Sequence, residues 1–257
     1  MDSINPKGFK RVPAIDKCFA VLDLLVQSKE PMGISEISGK LGLNKSSVFN
    51  ITHTLKDLNV LEIQSNGKFA FGTHFYVLAN KAGKRSTLIQ VAHPYLEQIN
   101  EKTNLSVFLG LRSDSQAILI DKIDSGHGIK VASDIGMQMP PLAGAGIKAM
   151  LSQLPDKAID EILNRTELKK YTPLSIVNKK AYKEEIREVR KEGIAYDLGE
   201  YIEGMVGFAI PIKTYGENVQ AAIWAAGLKS QVSESSLPIL KDLLVRISGE
   251  IDQRLLK

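Results

Sequence analysis

The chain holds one cysteine, Cys18, and one tryptophan, Trp224, among 257 residues. A single thiol excludes an intrachain disulfide framework and a multi-cysteine zinc site. The four histidines never fall at the spacing of a metal-binding pair, so no metal and no cofactor is expected. No apolar run approaches bilayer length, and the first residues lack the apolar stretch of a secretory leader. These absences predict a soluble cytoplasmic protein with no membrane partner. What is present, 44% hydrophobic and 24% charged residues, is enough to bury a core in one large or two modest domains.

The net charge of +4 is mild, but it is unevenly placed. Residues 1–90 carry 12 Lys+Arg against 7 Asp+Glu, a balance of +5, and the remainder is close to neutral at −1. From Ile37 to Lys56 there is no acidic residue, while Lys40, Lys45 and Lys56 are present. A basic amino-terminal third on a neutral body is the footprint of a nucleic-acid-binding module, and equally of a solvated basic face. The helical pattern decides between them.

Pro13 opens a helix to Gln27 with the apolar stripe Ile15, Phe19, Leu22 and Val26. Ser35 is expected to cap a short second helix that stops at Gly42, and Asn44 to cap a third with Val48, Ile51, Leu55 and Leu58 inward. Two short helices joined through Leu41-Gly42-Leu43 read as helix-turn-helix. The opposite side of the third helix holds Ser46, Phe49, Asn50 and His53, with Lys45 and Ser47 at its start. Short polar groups and an aromatic edge suit the approach to base edges, and a helix amino terminus suits phosphate. Two strand-like runs around Gln64-Ser65-Asn66-Gly67 predict a hairpin on the Asn-Gly signal, a wing whose Lys68 can meet backbone phosphate. Taken singly, Cys18 is a buried helix residue, His53 an ordinary surface histidine and Asn66-Gly67 any hairpin; together, order, spacing and charge point to a winged helix on duplex DNA.

A helix from Thr73 to about Ala82, interrupted at Gly83-Lys84-Arg85-Ser86, leads to a second from Thr87 to Glu101. The expected organisation is a DNA-binding domain over 1–72, a linker helix over 73–86 and a second domain over 87–257. In that domain Val107–Leu111, Ala117–Ile123, Ile129–Ser133, Met205–Ile212 and Val219–Ala226 read as strands, the last two joined at Tyr215-Gly216-Glu217-Asn218. Ala145–Gln153, Asp156–Asn164, Lys179–Lys191 and a final stripe from Leu237 to Leu255 read as helices. Neighbouring strand pairs with helices between them give an α+β fold, a largely antiparallel sheet flanked by helices.

In these motifs the chain resembles the IclR family of bacterial transcriptional regulators. The resemblance rests on Arg11-Val12-Pro13-Ala14-Ile15, Ile34-Ser35-Glu36-Ile37, Leu41 to Val48, His53-Thr54-Leu55 and Gly67-Lys68-Phe69. In the second domain it rests on Pro141 to Ala149, Tyr171-Thr172-Pro173, Val189 to Gly193, and Ala195-Tyr196-Asp197 leading to Glu200 and Glu203-Gly204. It implies a winged helix-turn-helix head, a linker helix used in dimerisation, and a GAF-like carboxyl-terminal domain for a small effector. It also implies homodimers, often paired into homotetramers, on palindromic double-stranded operators. Candidate DNA contacts are Arg11, Ser35, Lys45, Ser46, Ser47, Phe49, Asn50, His53 and Lys68. Candidate effector contacts are Leu142, Ala143, Gly144, Ala145, Asp197, Gly207, Trp224 and Ala226.

The chain departs from the family at Asn44, usually Pro, and at Asn50, often Arg, so no operator sequence carries over. Relatives that sense small carboxylates place an acidic residue at the position of Asp197 and small polar ones at those of Gly207, Trp224 and Ala226. An indole without neighbouring hydroxyls favours an apolar or aromatic ligand, because unpaired polar groups are costly to bury. Free N–H groups where Ala143 to Gly146 enter a helix can hold a ligand carboxylate or carbonyl, or the glycines can serve packing alone. Two other functions compete: an enzyme using Asp197, Glu200 or Glu203 with His93 or His127 as base, and a ligand-free architectural DNA binder. No nucleophile with an adjacent base supports the first, and the long neutral second domain argues against the other, so no catalytic residue is expected.

Overall fold

The computed structural model describes residues 10–28, 30–84, 86–126, 131–214 and 219–256. They form two compact units, Met1–Lys84 and Arg85–Lys257.

The first unit begins with α1 (Pro13–Gln27), α2 (Ile34–Leu41) and α3 (Lys45–Asp57). Their shared core is Val21, Leu22, Leu25, Ile37, Val48 and Leu55, closed by Leu61 and Phe69 of the hairpin β1 (Leu61–Ile63) and β2 (Phe69–Phe71). Met32 adds a bridge on the other edge of Phe69, its N–H donating to the Phe69 carbonyl at 3.2 Å and its carbonyl accepting the Phe69 N–H at 2.9 Å. The buried face of α1 is not the expected stripe. Of Ile15, Phe19, Leu22 and Val26 only Leu22 is buried, and the other three are more than half exposed. A helix apolar on two sides offers two stripes, and the one one residue earlier, at Val21 and Leu25, meets α2 and α3.

Caps also differ in detail. Gly33, not Ser35, is the residue before α2, and the Glu36 side chain accepts the Gly33 N–H at 2.7 Å; Ser35 lies inside the first turn, exposed. Asn44 does precede α3, but its side chain makes no capping bond. The hairpin is closed by Gln64 to Gly67, with the Gly67 N–H donating to the Gln64 carbonyl at 2.9 Å. Only Gly67 takes positive φ (74°), so the turn is a type I turn ending in a left-handed glycine, not a two-residue Asn-Gly turn. From it α4 (Thr73–Lys84) runs to Lys84, two residues past the expected end at Ala82 and inside the expected break at Gly83 to Ser86.

The second unit is one five-stranded antiparallel sheet in the order β4-β3-β7-β6-β5. It starts with α5 (Thr87–Thr103), then β3 (Ser106–Ser113) and β4 (Gln116–Ile123). Helices α6 (Gly144–Leu151), α7 (Asp156–Arg165) and α8 (Lys179–Glu192) follow, then β5 (Ala195–Asp197), β6 (Met205–Ile212), β7 (Ala221–Leu228) and α9 (Leu237–Leu255). Strand alternation sorts the two faces. Val107, Leu109, Ile210, Ile223 and Ala225 pack on α5 and α9, while Phe108, Ala209, Ala222 and Trp224 pack on α6, α7 and α8. The three-residue β5 had no signal in the sequence. Of the expected third strand, Val131 to Ser133 are described and lie outside any strand, while Ile129, Lys130 and the turn Tyr215 to Asn218 lie outside the described residues. Instead the segment 133–139 lies beside β4, bonded from Leu119 N–H to Met137 O (3.0 Å) and from Met139 N–H to Ala117 O (2.8 Å).

Candidate functional site

In the first unit, α3 presents the face that the sequence assigned to it. Ser46, Phe49 and Asn50 are exposed, Ser47 and His53 half-buried, and Lys45 exposed at the helix start. The face is pre-formed by stacking. The Phe49 and His53 rings lie 3.9 Å apart at 26°, and His53 meets Phe69 of the wing edge-on at 5.6 Å. The His53 ring Nδ1 donates to the Phe49 carbonyl at 3.0 Å within α3, and its edge contact with Phe69 ties α3 to the hairpin, so this histidine does not stand free. Lys68 is not free either: its ammonium is 3.3 Å from Glu36 on α2, and its N–H donates to the Asn66 side chain at 3.0 Å. Gly33 and then Lys68 hold the Glu36 carboxyl below its usual range. Arg11, exposed ahead of α1, pairs with Asp16 at 2.7 Å.

In the second unit a cavity of about 130 Å³ lies between the sheet and α6. Ala143, Gly144, Ala145, Asp197, Gly207, Trp224 and Ala226 all line it. Leu142 does not. Its backbone is left-handed (φ 57°), its carbonyl accepts the buried Tyr182 hydroxyl at 3.0 Å, and it lines a separate small pocket with Leu168, Tyr171 and Ile176. The sequence missed Phe108, Leu119, Met137, Met139, Tyr201 and Ile202, which also line the cavity. Phe108 was within reach, since it pairs across the sheet with Trp224. The two methionines come from the segment beside β4, which has no periodicity to read.

The floor is set by Trp224 and two glycines. The indole lies over Gly110 of β3 and Gly146 of α6: a methyl placed on either would come within 2.7 Å and 2.9 Å of it, respectively. Phe108 is tilted against it at 5.6 Å. Beside the floor, the buried Asp197 accepts the N–H groups of Glu200 (2.7 Å) and Gly199 (3.1 Å) on one oxygen, fixing the loop that carries Tyr201 and Ile202. Its other oxygen stands 3.8 Å from where a Gly144 methyl would be, against the first turn of α6.

Behind this wall Lys148 of α6 is almost wholly buried, bonding Glu200 at 2.7 Å and the Tyr196 carbonyl at 3.0 Å. Burial pushes the Glu200 carboxyl up, outweighing the pull of Lys148 in the other direction. Thr172 and Ser175 hydroxyls close the same loop by donating to the Gly199 and Glu200 carbonyls. Glu203 is exposed, and His93 is on α5 across the sheet, bonded to Asp121 at 2.7 Å. The acid–base set required by the enzyme alternative is therefore split between the two faces, and His127 lies outside the described residues.

The helix-turn-helix family model of IclR matches residues 14–64, and that of the bacterial transcriptional regulator IclR C-terminal domain matches residues 80–253. The chain is 23% identical over 244 residues to the transcriptional repressor IclR of Escherichia coli K12, covering 94% of this chain and 89% of that protein. The crystal structure of an IclR transcriptional regulator from Alicyclobacillus acidocaldarius superposes with a TM-score of 0.80 at 23% identity, over 95% of this chain and 99% of that one. An IclR homologue from Microbacterium hydrocarbonoxydans, complexed with 4-hydroxybenzoate, gives 0.75 at 18% identity over 95% and 99%. With both domain models matched along most of its length, the chain belongs to the IclR family of bacterial transcriptional regulators.

Proposed function

We propose that the protein is a ligand-controlled repressor acting on cytoplasmic DNA. Its α3 face enters the major groove, and its sensory domain binds a small apolar or aromatic metabolite in the cavity at Trp224. The observation that carries the ligand reading is the lining itself, about 130 Å³ of mostly carbon surface with an indole as floor. An apolar protein cavity of about 150 Å³ holds one benzene ring, so the size fits a single-ring or similarly small molecule. A relative whose solved structure contains 4-hydroxybenzoate supports the same size class.

On the DNA side, Ser46, Phe49 and Asn50 read base edges, and Lys45, Ser47, Ser35, Arg11 and Lys68 position the backbone. Homodimers, singly or paired into tetramers, place two heads on a palindromic site with half-sites about one helical turn apart or a multiple of it. Exposed Val12, Ile15, Phe19 and Val26 on and before α1, with Val77 and Leu78 on α4, support association through the head. The effector favours one arrangement of the dimer, a coupling of about 1–3 kcal/mol.

The test is binding to promoter fragments upstream of the protein's own gene at low ionic strength, with and without compounds found by thermal-shift screening of aromatic and other carbon-source metabolites. Saturable, ligand-sensitive binding is expected, with the ligand recovered unchanged. Loss of the compound during incubation overturns the regulator reading in favour of catalysis. Absence of binding to every fragment overturns the DNA-binding reading.

A further inference from the structure

Phe49 stands on the outer face of α3, on the same side as Ser46, Asn50 and His53, with 49% of its surface exposed. A phenyl group has neither donor nor acceptor, so in a major groove it is blind to the hydrogen-bonding pattern of the base pairs. The apolar group presented there is the C5 methyl of thymine.

The ring is also held in place. His53 follows one helical turn later on the same face, and its imidazole covers one side of the phenyl at 3.9 Å and 26°. The imidazole is itself fixed from two directions. Its Nδ1 donates to the Phe49 carbonyl at 3.0 Å, and it meets the edge of Phe69 at 5.6 Å and 73°. Phe69 is 1% exposed and belongs to the core of the head. An exposed ring is thus anchored to the core through one histidine. A freely rotating phenyl would surrender rotamer freedom on entering a groove, whereas a ring already stacked has lost it beforehand. We infer that His53 is a positioning residue: it holds Phe49 in one orientation, from which the phenyl reads thymine methyl groups, a role that rests on α3 being the helix that enters the major groove. His53 then sets a preference for thymine by acting through Phe49 and not on a base itself.

Gel-shift titration of the full-length protein on the fragment upstream of its own gene, made once with thymine and once with uracil throughout, tests this without a known operator. Uracil differs from thymine only in lacking the methyl. The wild-type protein is expected to prefer the thymine fragment by at least about fourfold, the effect of burying one such carbon. Phe49→Ala is expected to abolish the preference. His53→Ala is expected to bring it below about twofold while binding to the uracil fragment changes by less than about twofold, since the phenyl keeps its surface and loses only its fixed orientation. His53→Phe, which keeps a flat ring against Phe49, is expected to retain the preference. Equal or reversed wild-type affinities overturn the methyl readout, and so does an unchanged preference in Phe49→Ala. An unchanged preference in His53→Ala, equal losses on both fragments, or loss of the preference in His53→Phe overturns the positioning role. Should His53→Ala not fold, His53→Gln decides in the same way; if neither folds, the histidine serves the fold alone and the positioning role is overturned. Binding to neither fragment defeats the DNA-binding reading itself.

Discussion

Trp224 and Gly146 are in contact across the floor of the cavity, the glycine leaving a gap that the indole fills. Gly146→Ala is expected to act as overpacking and to cost about 1–3 kcal/mol. Trp224→Leu in the same chain removes the collision, so the double variant is expected to be more stable than the sum of the single effects by at least about 0.5 kcal/mol. Urea unfolding of the four proteins measures the coupling, and additive effects would show that the two residues do not press on each other.

Lys148, buried, and Glu200, partly exposed, form an ion pair behind the same wall. Lys148→Met leaves the Glu200 carboxyl without its cation and is expected to cost about 3–5 kcal/mol, whereas Lys148→Met with Glu200→Met is expected to recover most of it. Because burial raises the Glu200 pKa, its ionisation in the folded protein opposes folding, and its contribution to stability falls as pH rises through the carboxyl range. Glu200→Gln should flatten that part of the stability–pH curve. An unchanged curve would place the titration elsewhere.

In the head, Glu36 restrains Lys68 at 3.3 Å. Glu36→Gln is expected to free the lysine, tightening binding to every DNA and steepening its salt dependence by up to about one unit in the log–log slope, while Lys68→Ala and Lys45→Ala weaken all sequences and flatten it. Phe49→Ala and Asn50→Ala should instead alter which operator is preferred. Anisotropy titrations at several salt concentrations separate the two patterns, and identical behaviour of all the variants would refute the division of the face.

Asp156 opens α7 and is gripped by Arg187 at 2.9 Å and Arg190 at 3.0 Å, which draw its pKa from 3.8 to about 2. A carboxyl held low in the folded state stabilises above its unfolded pKa, and that contribution disappears as pH falls toward about 2. Asp156→Asn is therefore expected to lower the melting temperature at neutral pH and to have little effect near pH 2. Equal losses at both ends of the range would mean that the side chain acts by shape alone.

Much of the fold was written in local pattern. The limits of β6 at Met205 and Ile212 and the inward residues Tyr182, Ile186 and Val189 of α8 were legible because each lies on an element with one clear period. Where two periods coexist the pattern fails, as on α1, whose exposed Ile15, Phe19 and Val26 have the same spacing as a core stripe. The cavity was legible on β7, where Trp224 and Ala226 share a face by strand alternation, and illegible in its roof. Met137 and Met139 arrive there through backbone bonds to β4 that depend on tertiary placement, and Leu142 leaves through a left-handed turn fixed by Tyr182. Likewise the Phe49–His53–Phe69 stack joins residues from two elements, so no single helix face announces it.

β7 is central in its sheet, bonded to β3 on one side and β6 on the other. Its amides should therefore be among the slowest in the protein to exchange with deuterium, while those of the segment 133–139 exchange early. Side chains at 224 and 226, which line the cavity, can then be swapped on an unmoving rail. New ligand preferences can arise by replacing the fittings on that rail without rebuilding the frame that transmits the signal.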